Sequence, residues 1–203
     1  MSYIIAIILG YLLGCLNLAY ILGRIKKVKL KEVGSKNYGA SNTVAMIGFK
    51  AGFLVFLHDL VKAYLAVFLT RLLFPNSEYA HIVAGIFAVV GHIYPFYLKF
   101  DGGKGFASFM GMMLAISPIF TLCLMAAALI FALIIDYIVA GTFAIITTAP
   151  LYIGVFQQNW IACILISLTS LLILYKHKNN IKNLVTRNGK EMSIKNTVFK
   201  KKK

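Results

Sequence analysis

The chain alternates long apolar stretches with short polar segments, and this pattern predicts a bundle of helices. A helix needs about 20 apolar residues to cross the hydrocarbon core of a bilayer. Stretches of that order recur along the whole chain, so each is a candidate membrane span. The stretches are Tyr3–Leu22, Ala51–Phe74, Tyr79–Leu98, Phe106–Ile135, Tyr137–Phe156 and Trp160–Tyr175.

The stretch Phe106–Ile135 determines the predicted topology because it is too long for one span. At 1.5 Å per residue it would extend roughly 45 Å as a continuous helix, against a hydrocarbon core of about 30 Å. Ser117-Pro118 interrupts it, and proline ends or kinks a helix by removing a donor and by clashing with the preceding turn. Two short helices then replace one long helix, which gives about seven transmembrane helices.

Composition supports the membrane assignment. Of the 203 residues, 60% are hydrophobic and only 13% are charged. A soluble domain of this size has too little interior to bury so much apolar surface. We therefore expect an all-α integral membrane protein, with residues 1–203 forming a single polytopic membrane domain.

The positive charge gives the expected orientation. The net charge is +15, with six basic residues between Arg24 and Lys36 and ten between Lys176 and Lys203. This clustering is typical of the positive-inside bias and of attraction to anionic membrane lipid, so nucleic acid is not an expected partner. With seven helices, the N-terminus is outside, and the C-terminus, with a basic tail at about 176–203, is cytosolic. The loops at 26–43, 99–105, 136–142 and 176–191 then share the cytosolic face.

Three polar segments on that face carry the candidate chemistry. The first, Gly34–Asn42, combines glycines, serines and asparagines, which suits an anion cradle or a turn followed by a helix cap at Ser41 or Asn42. The second, Gly91–Ala107, holds His92 and a Gly-Gly-Lys-Gly run that opens onto a helix, as phosphate-binding loops do. The third contains His177, Asn180 and the run Gly189-Lys190-Glu191. A histidine there can bind phosphate or accept a proton.

Other polar residues lie inside the apolar stretches. Asp59 and Lys62 are three residues apart and therefore share a helix face. They either pair and lock helices together or mark a functional site. Thr142 follows Asp136 by two turns and places a hydroxyl near the cytosolic end of its helix. The three cysteines have no disulfide or zinc spacing, and we expect neither a metal nor a cofactor.

The three motif segments resemble, in order and spacing, the bacterial acyl-phosphate-dependent glycerol-3-phosphate acyltransferases. The run Gly-His-x-x-Pro-Phe followed by Gly-Gly-Lys-Gly is the most specific part. The resemblance implies a seven-helix fold in the bacterial cell membrane, with the active site facing the cytosol. It also implies transfer of a fatty acyl group from acyl phosphate to the 1-hydroxyl of glycerol 3-phosphate, giving lysophosphatidic acid in phospholipid synthesis.

The resemblance also assigns roles. Ser35, Lys104 and His177 would be catalytic. Ser35 would bind substrate phosphate or the carbonyl oxygen, and Lys104 would neutralise phosphate. His177 would contact glycerol phosphate and orient its hydroxyl. Either His177 or a substrate phosphate oxygen would accept the proton. The remaining residues would bind substrate: Gly34, Asn37, Gly39, Asn42, Gly102, Gly103, Gly105, Thr142 and Asn180.

Some positions depart from the family pattern. Lys36 replaces a glycine of the first motif, and Ala45, Asp136 and Asn183 stand where the family usually has basic residues. Fewer guanidinium contacts weaken phosphate binding. The alternatives are a divergent paralogue with another acceptor or without activity, and a small anion or lipid-phosphate transporter.

Overall fold

Residues 1–186 are described by the computed structural model, and they form ten α-helices and one short 3₁₀ helix. In chain order the α-helices are α1 Ser2–Cys15, α2 Leu18–Ile25, α3 Ala40–Met46, α4 Phe49–Leu73, α5 Ala80–Ile93, α6 Phe106–Ile116, α7 Pro118–Ile135, α8 Ile138–Val155, α9 Trp160–Lys176 and α10 Lys178–Val185. The 3₁₀ helix is Phe96–Leu98. The predicted all-α fold is confirmed.

Within residues 1–186, four segments are long and apolar enough to cross a membrane: Ser2–Ile25, Phe49–Leu73, Ala80–Leu98 and Pro118–Ile135. Three further apolar helices are shorter and lie at Phe106–Ile116, Val139–Val155 and Trp160–Lys176. Large apolar side chains are exposed along these helices, including Ile119 and Ile134 of α7. Such a surface is stable in contact with lipid tails rather than water.

The predicted interruption at Ser117-Pro118 is confirmed. Helix α6 ends at Ile116, Ser117 leaves the helical conformation with ψ 82°, and α7 begins at Pro118. Proline is well tolerated at the first position of a helix because the N–H it lacks has no intrahelical partner there.

The first apolar stretch contains a break that its composition does not predict. Helix α1 ends at Cys15 and α2 begins at Leu18, with Asn17 as its N-cap. The Asn17 Oδ1 accepts a hydrogen bond from the Tyr20 N–H at 2.9 Å. This cap satisfies a backbone donor that the start of a buried helix would otherwise leave unpaired.

The chain divides into two compact units, Met1–Pro118 and Ile119 onward. In the first unit, α1 packs closely against α5. Gly10 and Gly14 are spaced as in the Gly-x-x-x-Gly motif and face the backbone of Ala84 and Ala88. Small residues of this kind let two helix backbones approach within a membrane.

We expect Gly14→Val to destabilise this packing. A β-carbon at Gly14 would contact the carbonyl oxygen of Ala88, which is backbone and cannot move aside. Overpacking of this kind typically costs about 1–3 kcal/mol. The melting temperature of the purified protein should therefore fall. Leu12→Phe, which adds volume on the exposed side of the same helix, is the control, and an equal fall in both variants would contradict the packing account.

The two ends of the first unit are distinct. At one end the Ser2 hydroxyl lies 3.3 Å from the Ser77 hydroxyl, so the N-terminus and the turn between α4 and α5 meet there. The segments 26–43 and 99–105 contact each other at the other end. This placement agrees with the prediction that these two segments share one side of the membrane.

In the second unit, α8 and α9 form an antiparallel pair joined by a short turn at residues 156–159. Phe120 of α7 stacks on Tyr152 of α8 with ring centroids 3.6 Å apart. Gly141 lies against the Ala128 backbone, which allows α8 to approach α7 closely.

Candidate active site

Two loops meet at one end of the first unit. We call residues 26–39 the first loop and residues 99–105 the glycine loop. The Lys31 Nζ lies 2.6 Å from the Asp101 Oδ1, and it also donates to the Gly102 carbonyl at 3.4 Å. The Tyr38 N–H donates to the same carbonyl at 3.4 Å. Asp101 is largely exposed, so the ion pair adds little stability, but the three contacts bring the two predicted motifs together.

Asn42 organises the first loop through three hydrogen bonds. It lies in α3 and is 1% exposed. Its Oδ1 accepts a hydrogen bond from the Ser35 N–H at 2.8 Å, and its Nδ2 donates to the carbonyls of Leu30 and Asn37, both at 2.9 Å. The side chain is therefore committed to the protein backbone, which differs from the direct substrate contact that the resemblance implies.

Ser35 is held on the exposed side of the same loop. The Asn37 Nδ2 donates to the Ser35 Oγ at 2.8 Å and to the Ser35 carbonyl at 2.9 Å. Because the Ser35 hydroxyl accepts from Asn37, its own hydrogen remains the donor that can serve a substrate oxygen. Gly34, with φ 59°, packs against Asn42 and leaves no room for a β-carbon.

Replacing Asn42 by alanine should collapse the first loop. Two backbone carbonyls and one N–H would lose their partner. The bond to the Leu30 carbonyl is buried, and a buried group left unsatisfied costs about 1–3 kcal/mol. We expect a lower melting temperature and at least a tenfold loss of activity, at about 1.4 kcal/mol per factor of ten. Asn37→Ala, which removes an exposed amide from the same loop, is the control for stability. Equal melting temperatures in the two variants would contradict this role for Asn42.

The start of α3 differs from the sequence expectation. Its N-cap is Gly39, not Ser41 or Asn42, and no side chain caps it. Ser41 and Ala45 are exposed and one turn apart on α3. Lys36 has φ 53°, a left-handed conformation that is unusual outside glycine. This explains why the family pattern has glycine at the Lys36 position.

Tyr38 closes the side of the first loop that faces α2. Its ring makes an edge contact with Tyr20 at 5.7 Å, and the Lys31 Nζ lies 5.3 Å from its ring centroid. Burial, with the nearby Tyr20 and Asp101, raises the pKa of the Tyr38 hydroxyl. The hydroxyl therefore stays protonated and uncharged at neutral pH.

The glycine loop lies on the end of α5. The Gly102 N–H donates to the Ile93 carbonyl at 2.9 Å, and the Gly103 N–H donates to the His92 carbonyl at 3.1 Å. These two N–H groups therefore hold the loop and are not directed at an anion. The binding of substrate by Gly102 and Gly103 stays a prediction, and the structure accounts for both glycines by close packing.

Gly105, with φ 90°, is the N-cap of α6. The N–H groups in the first turn of a helix have no intrahelical partner and carry partial positive charge. Lys104 is partly buried and immediately precedes this turn. In the same turn the Ser108 hydroxyl is fully buried, with no hydrogen-bond partner among residues 1–186. Sequence reasoning missed Ser108 because a serine in a helix carries no distinctive spacing.

Asp59 and Lys62 form an ion pair, which is one of the two alternatives that their spacing left open. The Lys62 Nζ lies 2.8 Å from the Asp59 Oδ1, and both side chains are buried. His58 approaches the same carboxylate at 3.4 Å. The pair lies in α4. His92 of α5, which lies beneath the glycine loop, also contacts Lys62.

The second unit carries the remaining predicted residues. His177 follows α9 directly and is 5% exposed. Its Nδ1 lies 2.9 Å from the Ile173 carbonyl, so this nitrogen carries the hydrogen and Nε2 is the acceptor in the neutral ring. The ring makes an edge contact with Phe143 at 6.3 Å. His177 and the first turns of α8, which include buried Thr142, therefore lie at the same end of the unit.

Asn180 is partly buried in α10, a helix that the sequence pattern did not predict. Asp136 has φ 65° at the turn between α7 and α8. The predicted motif residues Gly189, Lys190 and Glu191 lie outside the described residues.

These features define a class: an all-helical protein, over residues 1–186, with apolar helices long enough to span a membrane and polar loops at helix ends. The glycerol-3-phosphate acyltransferase family model matches residues 4–187. The chain belongs to this family and is therefore a membrane acyltransferase, as the sequence motifs predicted.

Individual relatives agree with the family model. The chain is 34% identical to glycerol-3-phosphate acyltransferase 1 of Oceanobacillus iheyensis, over 100% of this chain and 99% of the relative. It is 36% identical to the glycerol-3-phosphate acyltransferase of Wolbachia pipientis wMel, over 94% of this chain and 97% of the relative.

Solved structures give the same result. One is a crystal structure of PlsY (YgiH), an integral membrane glycerol 3-phosphate acyltransferase, in its glycerol 3-phosphate form. It has a TM-score of 0.91 and 29% identity, covering 99% of this chain and 100% of that protein. The lysophosphatidic acid form of the same enzyme has a TM-score of 0.87 and 28% identity, with 98% of this chain and 100% of that one covered.

Proposed function

We propose that this protein transfers a fatty acyl group from acyl phosphate to the 1-hydroxyl of glycerol 3-phosphate. The products are lysophosphatidic acid and inorganic phosphate. The observation that carries the proposal is the contact between the first loop, which contains Ser35, and the glycine loop, which contains Lys104. The two loops meet at one end of the first unit. Relatives named for this acceptor, including one solved with glycerol 3-phosphate, support it.

The proposed reaction places modest demands on the protein. Acyl phosphate is a mixed anhydride, so its carbonyl is already activated by a phosphate leaving group. The glycerol hydroxyl forms a new C–O bond to the carbonyl carbon, the anhydride C–O bond breaks, and the hydroxyl proton passes to an acceptor. The protein must align hydroxyl and carbonyl and stabilise negative charge on the phosphate and the carbonyl oxygen.

In the first unit, we assign phosphate binding to Lys104 together with the first turn of α6. A lysine ammonium and helix N-terminal N–H groups both favour an anion. Ser35 donates its hydroxyl hydrogen to a substrate oxygen, and Asn37 orients that hydroxyl. Asn42 supports the loop, while Gly34, Gly39 and Gly105 shape the backbone around it.

In the second unit, we assign contact with glycerol phosphate to His177, Asn180 and Thr142, following the family motif. The hydrogen bond from His177 Nδ1 to Ile173 supports this role for His177. It fixes the tautomer in which the neutral Nε2 accepts a hydrogen bond, as an orienting group for a hydroxyl requires.

The donor is tested with purified protein in detergent. When glycerol 3-phosphate is supplied with palmitoyl phosphate, we expect lysophosphatidic acid and an equimolar amount of inorganic phosphate as products. The same acyl group on a thioester should give little product, because the proposed site binds the phosphate of the donor. Equal rates with the thioester would contradict an acyl-phosphate donor.

We also propose a seven-span topology in the bacterial plasma membrane, with the N-terminus outside and the site in the cytosol. Four long and three shorter apolar helices support the number of spans. The first loop, which holds a basic cluster, and the glycine loop lie at the end of the first unit opposite the N-terminus. That arrangement fits the positive-inside rule.

Reporter fusions test this topology. Alkaline phosphatase, which is active only outside the cytosol, should be inactive when fused after Asp136 and active when fused after Gln157. A green fluorescent protein fusion should give the opposite pattern. An active phosphatase fusion at Asp136 would show that the proposed orientation is wrong.

A further inference from the structure

His92 lies at the end of α5, directly beneath the glycine loop. Its backbone carbonyl accepts the Gly103 N–H at 3.1 Å. A β-carbon built on Gly103 would contact Nε2, Cε1 and Cδ2 of the His92 ring, and one on Gly102 would contact the His92 carbonyl. Gly103 therefore packs against the imidazole edge that carries Nε2, and Gly102 packs against the His92 carbonyl.

Lys62 contacts the other edge of the ring, which carries Nδ1. An ammonium group has three N–H donors, and the Lys62 Nζ has three acceptors close to it. They are the Leu16 carbonyl at 2.6 Å, the Asp59 Oδ1 at 2.8 Å and the His92 Nδ1 at 3.0 Å. The Leu16 carbonyl is available because the helix is interrupted between α1 and α2. One buried cation thus connects α4, α5 and that interruption.

The Nδ1 of His92 contacts both members of the Asp59–Lys62 pair. It is 3.0 Å from the Lys62 Nζ, and the other ring nitrogen, Nε2, is at the edge that faces Gly103. The Nδ1 to Asp59 Oδ1 distance is longer, at 3.3 Å. The ring is 3% exposed, so it does not reach a substrate. It acts on the site only through the loop that it supports.

We propose that His92 is a positioning residue for acyl transfer, held by Lys62 and Asp59 so that its ring sets the height of the glycine loop and thereby the place of Lys104. The proposal rests on the proposed function, because its readout is acyl transfer to glycerol 3-phosphate. A displacement of about 1 Å at a catalytic group can cost on the order of 100-fold in rate. Loss of the ring should therefore lower activity without any loss of a substrate contact.

A double-mutant cycle tests the contact between His92 and Gly103. Gly103→Ala alone places a methyl group against the ring and should lower kcat/KM for glycerol 3-phosphate by about 10- to 100-fold. His92→Ala removes the support and should lower it by a similar factor. In the double variant the methyl group occupies the space that the ring has vacated. Gly103→Ala should therefore lower kcat/KM much less in the His92→Ala background than in the wild-type protein. Strictly additive losses would overturn the proposal.

Further variants separate positioning from folding. His81→Ala makes the same substitution at the opposite end of α5, away from the glycine loop, and should leave kcat/KM within about twofold of wild type because distant sites couple weakly. His92→Asn keeps an acceptor for Lys62 but does not reach Gly103, so it should fold and still lose about tenfold in activity. The melting temperature of each variant is measured alongside.

If His92→Ala does not fold, the cycle is repeated with His92→Asn. Activity of His92→Asn equal to that of His81→Ala would overturn the proposal. Failure of the proposed function itself would look different, because the wild-type protein would then form no lysophosphatidic acid at all.

Discussion

Lys104→Met is expected to lower kcat/KM for acyl transfer by roughly 10- to 150-fold. A hydrogen bond to a charged group contributes about 1.5–3 kcal/mol, and 1.4 kcal/mol corresponds to a factor of ten. The substitution also lowers kcat if the ammonium binds the phosphate more strongly in the transition state than in the bound substrate. Only such a difference in binding speeds the chemical step. Initial rates of lysophosphatidic acid formation at varied substrate concentrations measure both quantities.

Lys99→Met is the matched control for Lys104→Met. It removes the same charge from the same loop, but Lys99 is exposed and is not adjacent to α6. Its kcat/KM should stay within about threefold of wild type, since exposed charges interact weakly. Equal losses in the two variants would mean that the general positive potential of the loop, and not Lys104, supports the reaction.

His177→Asn is expected to lower kcat by about 100-fold or more. A positioned acid or base typically contributes 10²–10⁴-fold. The asparagine Nδ2 can still donate to the Ile173 carbonyl, as the histidine Nδ1 does. The variant therefore keeps the local fold but lacks Nε2. Rates at saturating substrates, compared with a His81→Asn control, measure the loss, and a kcat within a few-fold of wild type would contradict the role of His177.

A second substitution identifies the proton acceptor. His177→Gln places an amide near the former position of Nε2, which can orient a hydroxyl but cannot accept its proton at neutral pH. If His177 accepts the proton, both variants lose at least about 100-fold. If a substrate phosphate oxygen accepts it, the glutamine variant recovers a large part of the lost rate.

The helices were largely predictable because a membrane span needs a long uninterrupted apolar stretch. The break at Ser117-Pro118 was predictable as well, since proline has a strong local effect on a helix. The break between α1 and α2 was not, because Asn17 lies in an apolar stretch without proline. The Leu16 carbonyl at this break accepts a hydrogen bond from Lys62, a tertiary contact that no local pattern reveals.

The site was predictable in its residue types but less so in its contacts. Glycine, lysine and histidine in the right order identified the motifs, and the structure brings the first loop and the glycine loop together. The sequence could not show which donors the protein itself uses. Asn42 and the N–H groups of Gly102 and Gly103 bond to backbone carbonyls. Their sequence positions alone fit a phosphate cradle equally well.

The same limit applies to His92. The Gly-His-x-x-Pro run drew attention to it as part of a motif, but its contacts with Lys62 and Gly103 connect residues 30 and 11 positions away in the chain. Those contacts follow from the packing of α4 against α5, which a single sequence does not specify.

The most direct test of the account is the rate of lysophosphatidic acid formation by the purified wild-type protein from acyl phosphate and glycerol 3-phosphate. We predict steady production with an equimolar release of inorganic phosphate. The rate should fall at least about tenfold in Lys104→Met and stay within about threefold of wild type in Lys99→Met. A folded wild-type protein that forms no product above background, or a Lys104→Met variant as active as wild type, would contradict it.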